Sequence, residues 1–421
     1  MRIIIIGAGP GGYETAAEAA SRGIETILIS EGPLGGTCLN EGCIPTKALC
    51  AMPAPDQERK LAVIEQLRSG IAQLMRNKLI TLVEGRARLV SPRSVEAAGT
   101  IYEADAIIIA TGSVSASLPI PGAELAIDSS AMLNLTTVPG RLCVIGGGVI
   151  GLEFASIYRK FGSSVTVLEF CPGILPRFDT DLAKRLKASL VKRGITIETS
   201  ARVTSITEGK VHWSKGDKEF ETEADCILMA VGRRPNLSSL NLDDIGISYT
   251  PRGIAVDANM QTNVPGVYAV GDITGGMMLA HVASAQGRRA LNHICGTPDG
   301  IDFSVVPAAV FTVPEAACAG KTEEECEGIE IVTGKANYRA NGKAVASGEA
   351  DGCCKIIAEK ASGRIIGAHI LGAHASDLIH EAAVLIALGA TARQACDIIH
   401  AHPTLSEVLY AALAGCAKAI G

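Results

Sequence analysis

Two cysteines, Cys38 and Cys43, stand five residues apart in the segment Gly35-Gly36-Thr37-Cys38-Leu39-Asn40-Glu41-Gly42-Cys43-Ile44-Pro45-Thr46-Lys47. The first residues of the chain already read as a strand, which leaves no room for a secretion signal and points to a reducing compartment. There a cysteine pair is expected to be catalytic or metal-binding rather than structural. On an ideal helix, residues five apart have Cα atoms roughly 8–9 Å apart, whereas a disulfide needs about 4.4–6.8 Å. If the two cysteines pair, the backbone between them must be distorted, and Gly42 is the residue that permits it. A disulfide in such a segment is suited to opening and closing. The plainer alternative is two unpaired, buried cysteines in a glycine loop.

A second group with chemical potential lies near the other end, in His400-Ala401-His402-Pro403-Thr404-Leu405-Ser406-Glu407. A carboxylate five residues after a histidine, across a proline turn, can fix the imidazole tautomer and stabilise its charged form, as an acid–base pair requires. An ordinary His-Pro turn is the competing reading. His400 is expected to be structural.

The elements that would carry these groups follow a repeat. Residues 2–6 form an apolar run, followed by Gly7-x-Gly9-x-x-Gly12, a helix pattern to about residue 22, and a strand over 25–30 ending at Glu31. Glu31 stands 19 residues beyond Gly12. This is a complete β-α-β unit: glycines for a tight turn, a helix N-terminus for a pyrophosphate, and an acid for a ribose hydroxyl. The construction recurs at 141–145, Gly146-x-Gly148-x-x-Gly151, a helix to about residue 161, and 164–168 ending at Glu169. Two dinucleotides are expected, or one duplicated fold with a single working copy. The cysteines directly follow the first unit, so that unit is assigned FAD and the second a nicotinamide. Glu169 repels a 2′-phosphate and favours NAD over NADP. Arg177, the one nearby cation in sequence, is read as a solvated loop charge. Buried strands are expected at 106–110, 226–231 and 267–270. From residue 304 short strand patterns at 309–313, 329–335, 354–358 and 365–371 precede helices at 376–388 and 391–399, as in an α+β domain.

A chain of 421 residues has room for two or three domains. Its net charge of −6 argues against nucleic acid or an anionic membrane surface as partner. The most helix-like apolar run, 382–392, falls short of the roughly 18 residues of a membrane span. A cytoplasmic protein is expected. Of 13 cysteines, none outside Cys38 and Cys43 shows metal-site spacing, and no metal centre is expected. Cys353 and Cys354 are adjacent in a strand and are expected to pack as small apolar side chains on opposite faces.

Gly-Gly-Thr-Cys-Leu-Asn-x-Gly-Cys-Ile-Pro-Thr-Lys around Cys38, and His-Pro-Thr-x-Ser-Glu around His402, resemble the two halves of the active site in the flavin-dependent pyridine nucleotide-disulfide oxidoreductases. Within that family the dihydrolipoyl dehydrogenases are most similar. The resemblance spans the chain and implies an α/β fold: two Rossmann-like dinucleotide-binding domains, for FAD and NAD, plus a C-terminal α+β dimerisation domain. The implied boundaries are 1–117 with 237–302 for FAD, 118–236 for NAD and 303–421 for the interface. It implies that Cys38 and Cys43 form a redox disulfide, Cys38 toward substrate and Cys43 toward flavin. It also makes His402 the base and Glu407 its orienting partner, with Lys47 beside the flavin and Glu153 as the partner of Lys47. Flavin contacts would come from Gly7, Gly9, Gly12, Glu31, Lys47, Thr111, Gly112, Asp272 and Ala280. NAD contacts would come from Gly146, Gly148, Gly151, Glu169 and Gly232. Without the family, Asp272 reads equally well as a helix N-cap. The implied reaction is oxidation of protein-bound dihydrolipoamide by NAD. It would take place in a homodimer whose sites are each completed by the other subunit's His402. The carrier would be a lipoyl-bearing acyltransferase or the glycine-cleavage carrier protein.

One departure concerns length. Family members carry a longer helical excursion after the disulfide segment. Here residues 48–52 run into Pro53-Ala54-Pro55-Asp56 and a single helix pattern over 59–77, with apolar positions at Leu61, Ile64, Leu67, Ile71 and Leu74. A shortened helical hairpin beside the substrate approach is expected. Other NAD(P)H-dependent flavin disulfide reductases are the rival reading. Glutathione-type enzymes usually take NADP, which Glu169 opposes, and mercuric reductases end in a cysteine pair where this chain has Cys416 alone. A flavoprotein subunit without turnover is opposed by the retention of Cys38, Cys43, His402 and Glu407.

Overall fold

The computed structural model describes every residue of the chain except Ser239. It comprises two compact units, both discontinuous in sequence: residues 1–116, 129–136 and 232–301, and residues 117–128, 137–231 and 302–421.

The first unit is built on a five-stranded parallel sheet. Its strands are β1 (Arg2–Ile6), β2 (Glu25–Ser30), β3 (Ile80–Glu84), β7 (Ala106–Ile109) and the strand Val267–Ala269, in the spatial order 267–269, β7, β1, β2, β3. The unbroken isoleucine run of β1 is explained by cover on both faces, the usual condition of a parallel sheet. Ile4 and Ile6, with Ile27, Ile29, Ile107 and Ile109, pack against Ala87, Leu89, Val95 and Ala97. Those residues come from a meander of β4 (Ala87–Ser91), β5 (Ser94–Ala97) and β6 (Thr100–Glu103). On the other face lies α1 (Pro10–Ser21), which packs closely on the helix Ala280–Ile294. A Cβ on Gly287 would stand 1.9 Å from Thr15 Oγ1, so only glycine allows that crossing.

After β2 come α2 (Gly36–Glu41), α3 (Cys43–Ala51) and α4 (Gln57–Leu74). Asp56 caps α4 by accepting from the Arg59 N–H at 2.9 Å. The apolar face expected on this helix narrows to Ile64 and Ile71, while Leu61, Leu67 and Leu74 are exposed. That narrow face suits a helix packed mainly on one neighbour, here α3, with a smaller contact to α2. Polar anchors take over where apolar cover is thin. Gln57 Nε2 donates to the carbonyls of Leu133 and Leu135 at 3.1 and 2.7 Å, and the buried Lys60 Nζ donates to Leu133 O at 2.7 Å. These bonds cap the C-terminal carbonyls of α5 (Ser129–Leu133), which lies among the residues of the first unit.

In the second unit the repeat appears again, with β9 (Arg141–Ile145), α6 (Val149–Lys160) and β10 (Ser164–Glu169). The parallel sheet has the order Ile195–Thr199, β10, β9, Cys226–Met229. Between β10 and Ile195–Thr199 runs α7 (Thr180–Lys192). The C-terminal part of this unit is a five-stranded antiparallel sheet in the order Ala308–Val310, Glu315–Gly320, Ile365–Gly372, Cys353–Glu359, Ile331–Asn337. It carries the helices Ala375–Ala387, Ala392–Cys396 and Ser406–Ile420. Two of these elements escape the sequence reading. The strand Glu315–Gly320 is mostly alanine and glycine, residues with little strand preference. The helix Ser406–Ile420 fills the end of the chain, whereas the helix expected over 391–399 shrinks to five residues. Cys353 and Cys354 are both buried, as their alternation in a strand covered on two faces requires, and burial pushes both thiols up.

A buried ion cluster ties α7 to the C-terminal sheet. Asp179 caps α7 through the N–H groups of Asp181 and Leu182, and accepts two bonds from Lys355 Nζ at 2.7 and 2.8 Å. Lys355 also bonds Glu323. Burial, the largest single influence, works to raise the Asp179 carboxyl, but the bonds and charge of Lys355, the charge of His369 and the Leu182 N–H together outweigh it, and the net direction is downward. A carboxyl lowered in the folded state contributes stability that is present above its unfolded value of about 4 and lost as pH falls through the lower folded value. Lys355→Met, which strands both carboxylates, should cost about 3–5 kcal/mol at neutral pH by urea denaturation. The gap from wild type should close as pH falls below about 4, because the stranded carboxyls then protonate.

Candidate active site

Cys38 and Cys43 are joined in a disulfide with Cα atoms 4.7 Å apart. A continuous helix could not bring them so near. The backbone breaks where expected: α2 ends at Glu41, Gly42 takes φ −147° and ψ −108°, and α3 begins at Cys43. A Cβ on Gly42 would stand 3.0 Å from Thr37 O. Thr46 secures the new helix by donating from Oγ1 to Gly42 O at 2.6 Å.

The disulfide segment is seated on the first glycine turn. Gly35 N–H donates to Ala8 O at 2.9 Å, and a Cβ on Gly36 would stand 2.6 Å from Gly9 Cα. That turn and its repeat share one geometry. A Cβ on Gly12 would meet Gly7 O at 1.8 Å, and one on Gly151 would meet Gly146 O at 2.0 Å. Ahead of them Gly9 and Gly148, each the N-cap of its helix, face open space. Each helix thus turns its N-terminal, positive dipole end toward a cradle that a larger side chain would fill, which fits a pyrophosphate at both places.

The acids at the two strand ends are held differently. Glu31 is exposed and pairs with Arg86 at 3.2 Å. Glu169 is buried, accepting from Gly147 N–H at 2.5 Å and Cys171 N–H at 2.6 Å, so its carboxylate is fixed against the second glycine turn. Arg177 is exposed as expected. The cation found beside this strand end is instead Arg202, stacked 5.1 Å from the ring centroid of Phe170. It comes from a later strand, so spacing along the chain gave no signal of it.

In the first unit Thr111 and Gly112 follow β7, and β8 (Ser113–Ser115) pairs antiparallel with Arg233–Pro235 just after Gly232. Thr111 Oγ1 donates to Asn236 O at 3.0 Å, and Gly232 O accepts from Ala116 N–H at 3.0 Å. Arg233 donates twice to Ser113, to Oγ and to the carbonyl, both at 2.7 Å, and Ser113 Oγ donates to Asp272 Oδ2 at 2.5 Å. The Arg233–Ser113–Asp272 chain was not foreseen, because its members are far apart in sequence. Asp272 sits inside the short turn Gly271–Thr274, whereas the helix starting at Ala280 has Leu279 at its N-cap. The N-cap reading of Asp272 is therefore wrong. Lys47, on α3, belongs to this unit as well.

His402 and Glu407 meet in the second unit. His402 Nδ1 lies 2.8 Å from Glu407 Oε1, and Glu407 Oε2 accepts from Thr404 N–H at 2.9 Å. The Thr404 N–H first, then His402, hold the Glu407 carboxyl below the usual carboxylate range. With Nδ1 donating to a carboxylate, Nε2 is left as the basic nitrogen, on a side chain that is 77% exposed. His400 is structural, as expected: its Nε2 lies 2.7 Å from Glu381 Oε1 and its Nδ1 3.0 Å from Ile398 O. Glu153 is buried on α6 and accepts from Phe311 N–H at 3.0 Å.

Comparison with known proteins bears on both units. Residues 1–287 match the family model for pyridine nucleotide-disulphide oxidoreductases, and residues 306–413 match the dimerisation domain of the same family, which supports a homodimer. The chain is 39% identical to a dihydrolipoyl dehydrogenase of Bacillus subtilis over 98% of both chains. It is 40% identical to the dihydrolipoyl dehydrogenase of Chlamydia muridarum over 96% of this chain and 94% of that one. The first alignment runs over 448 positions, more than the 421 residues here, so the relative carries insertions. Among solved structures, the HOCl-induced flavoprotein disulfide reductase RclA of Escherichia coli superposes with a TM-score of 0.91 at 30% identity, covering 98% of this chain and 99% of that one. No helix among the described residues is long and apolar enough to cross a membrane.

The seat of the disulfide segment can be tested through flavin content. Gly36 has φ +56°, so Gly36→Ala adds a side chain to left-handed backbone as well as a clash with Gly9. At ~1–2 kcal/mol for the backbone term alone, flavin affinity should fall about tenfold or more, measured from the ratio of flavin to protein absorbance after dialysis. With both family models matched in order along one chain, this protein belongs to the pyridine nucleotide-disulphide oxidoreductases, oxidoreductases that use FAD and NAD.

Proposed function

We propose that this protein is a dihydrolipoyl dehydrogenase, oxidising dihydrolipoamide borne on a carrier protein with NAD+ as acceptor. The observation that carries the reading is the Cys38–Cys43 disulfide, seated on the first glycine turn of a chain 39–40% identical to enzymes of that name. The working unit is a homodimer. Exposed apolar side chains on and after the helix Ala375–Ala387, namely Val384, Leu388 and Ile399, support a covering partner. The domain scheme we adopt is 1–117 with 237–302 for FAD, 118–236 for NAD and 303–421 for the interface.

His402 of the partner subunit takes a proton from one substrate thiol, because the thiolate is the nucleophile. Glu407 keeps the imidazole tautomer that leaves Nε2 free for this, and offsets the charge that results. The substrate thiolate attacks Cys38 Sγ, breaking the Cys38–Cys43 bond and releasing Cys43 as a thiolate. The second substrate thiol then displaces Cys38, passing its proton to the leaving Cys38 sulfur, and closes lipoamide, so the two electrons lost by the substrate reside on the cysteine pair. FAD held at the first glycine turn would supply the two-electron relay between the cysteine pair and NAD+. Lys47 and Glu153 serve the flavin site, and Glu169 offers its fixed carboxylate to the ribose of NAD. A lipoyl-bearing acyltransferase or the glycine-cleavage carrier protein supplies the substrate arm. A reducing cytoplasm suits a disulfide that cycles in a chain of 13 cysteines.

Cys43→Ser should abolish dihydrolipoamide-dependent NAD+ reduction while leaving flavin bound, and an undiminished rate would overturn the mechanism. His402→Gln should lower kcat about 10²–10⁴-fold. Oxidised glutathione with NADH serves as the control disulfide, and faster turnover of it than of lipoamide would favour another disulfide reductase. Glu169→Ala should erode the preference for NAD over NADP, read as the ratio of kcat/KM for the two nucleotides.

A further inference from the structure

Asn40 stands between the two cysteines, and its carboxamide makes four hydrogen bonds. Nδ2 donates to Leu34 O at 3.1 Å and to Gly36 O at 2.8 Å. Oδ1 accepts from Arg68 Nε at 3.2 Å and from Arg68 Nη2 at 2.7 Å. Two donors and two lone pairs are all that an amide has, so none is left to let the side chain swing. Arg68 comes from α4, where its Nη1 also bonds Glu65 at 2.9 Å. The planar guanidinium grips one oxygen with two N–H groups, a geometry that a lysine ammonium cannot reproduce. α4 is itself held to the 129–136 segment by Gln57 and Lys60. Arg68 also lines an open cleft of about 270 Å³ together with Ser30, Leu34, Leu82 and Glu84.

We infer that Arg68 is a positioning residue for the redox disulfide, acting through Asn40. The inference rests on the proposed redox cycle of Cys38 and Cys43. When the disulfide opens, the covalent tie between the two cysteines is gone, and only non-covalent bonds keep the sulfurs at closing distance. Asn40 joins the start of α2, the helix of Cys38, to α4, which packs in turn on α3, the helix that Cys43 begins. That preserves a high effective concentration of one thiol about the other. Loosening the frame stabilises the open dithiol relative to the disulfide.

The test equilibrates the holoenzyme anaerobically in dithiothreitol buffers of graded ratio, with acid quenching, alkylation and mass counting of Cys38 and Cys43. Each dithiothreitol supplies two electrons and two protons, opening the protein disulfide to two thiols and closing to its own cyclic disulfide. Arg68→Ala should shift the equilibrium about tenfold toward dithiol, a rise of ~30 mV. Arg68→Lys should give an intermediate shift, and Glu65→Ala, which leaves the fork on Asn40 intact, none. In an Asn40→Ala background the Arg68→Ala shift should vanish, an effect that general destabilisation would not produce. A shift below about twofold in Arg68→Ala, or an undiminished shift without Asn40, overturns the inference. A wild-type disulfide that no dithiol buffer opens would instead overturn the redox reading itself, and this inference with it.

Discussion

The start of the disulfide helix lies directly against the first glycine turn, with Gly36 facing Gly9 at a separation that admits no side chain. Much of the first unit serves that contact. The turn exists because β1 is clamped between β2 and β7, and because α1 is pulled close by its third glycine. The disulfide helix reaches the turn because Gly35 and Gly36 both take positive φ, which reverses the chain after Leu34. Nucleotide cradle and disulfide segment are therefore packed backbone against backbone. The distance between them is set by backbone atoms, which vary far less than side chains.

The two glycine turns share a backbone and differ in the acid that follows. Glu31 is paired with Arg86 at the surface, where solvent screens the pair and the side chain keeps its freedom. Glu169 has lost that freedom, since both of its oxygens accept backbone N–H groups. A buried carboxylate so held is a fixed negative charge, suited to rejecting a phosphate as much as to accepting a hydroxyl. Duplication thus supplied one scaffold, and local hydrogen bonding gave its copies different character.

Much of this was legible in the sequence because the signals were local. Each β-α-β repeat is a continuous stretch of about 30 residues, and the break at Gly42 and the His402–Glu407 pair depend on residues within two turns of each other. What escaped depended on distance. Arg233, Ser113 and Asp272 form one chain of hydrogen bonds from three separate segments. Arg202 reaches Phe170 from a strand of another sheet. The strand Glu315–Gly320 is held by its two neighbours in the sheet rather than by its own preference. On α4 the apolar spacing was real, but the spacing alone could not say that only Ile64 and Ile71 would find cover.

The discontinuity of the first unit has a consequence for the order in which the protein is made. The strand Val267–Ala269 completes the parallel sheet by pairing with β7, Val267 opposite Ile107. All of the second glycine repeat is synthesised between those two residues. At ~5–20 residues per second, the outer edge of β7 waits roughly 8–30 s on the ribosome for its partner. An apolar strand edge left open for that time is a template for pairing with another chain. The nascent protein therefore passes through an interval in which its five-stranded parallel sheet is unfinished, and chaperone demand should be raised then.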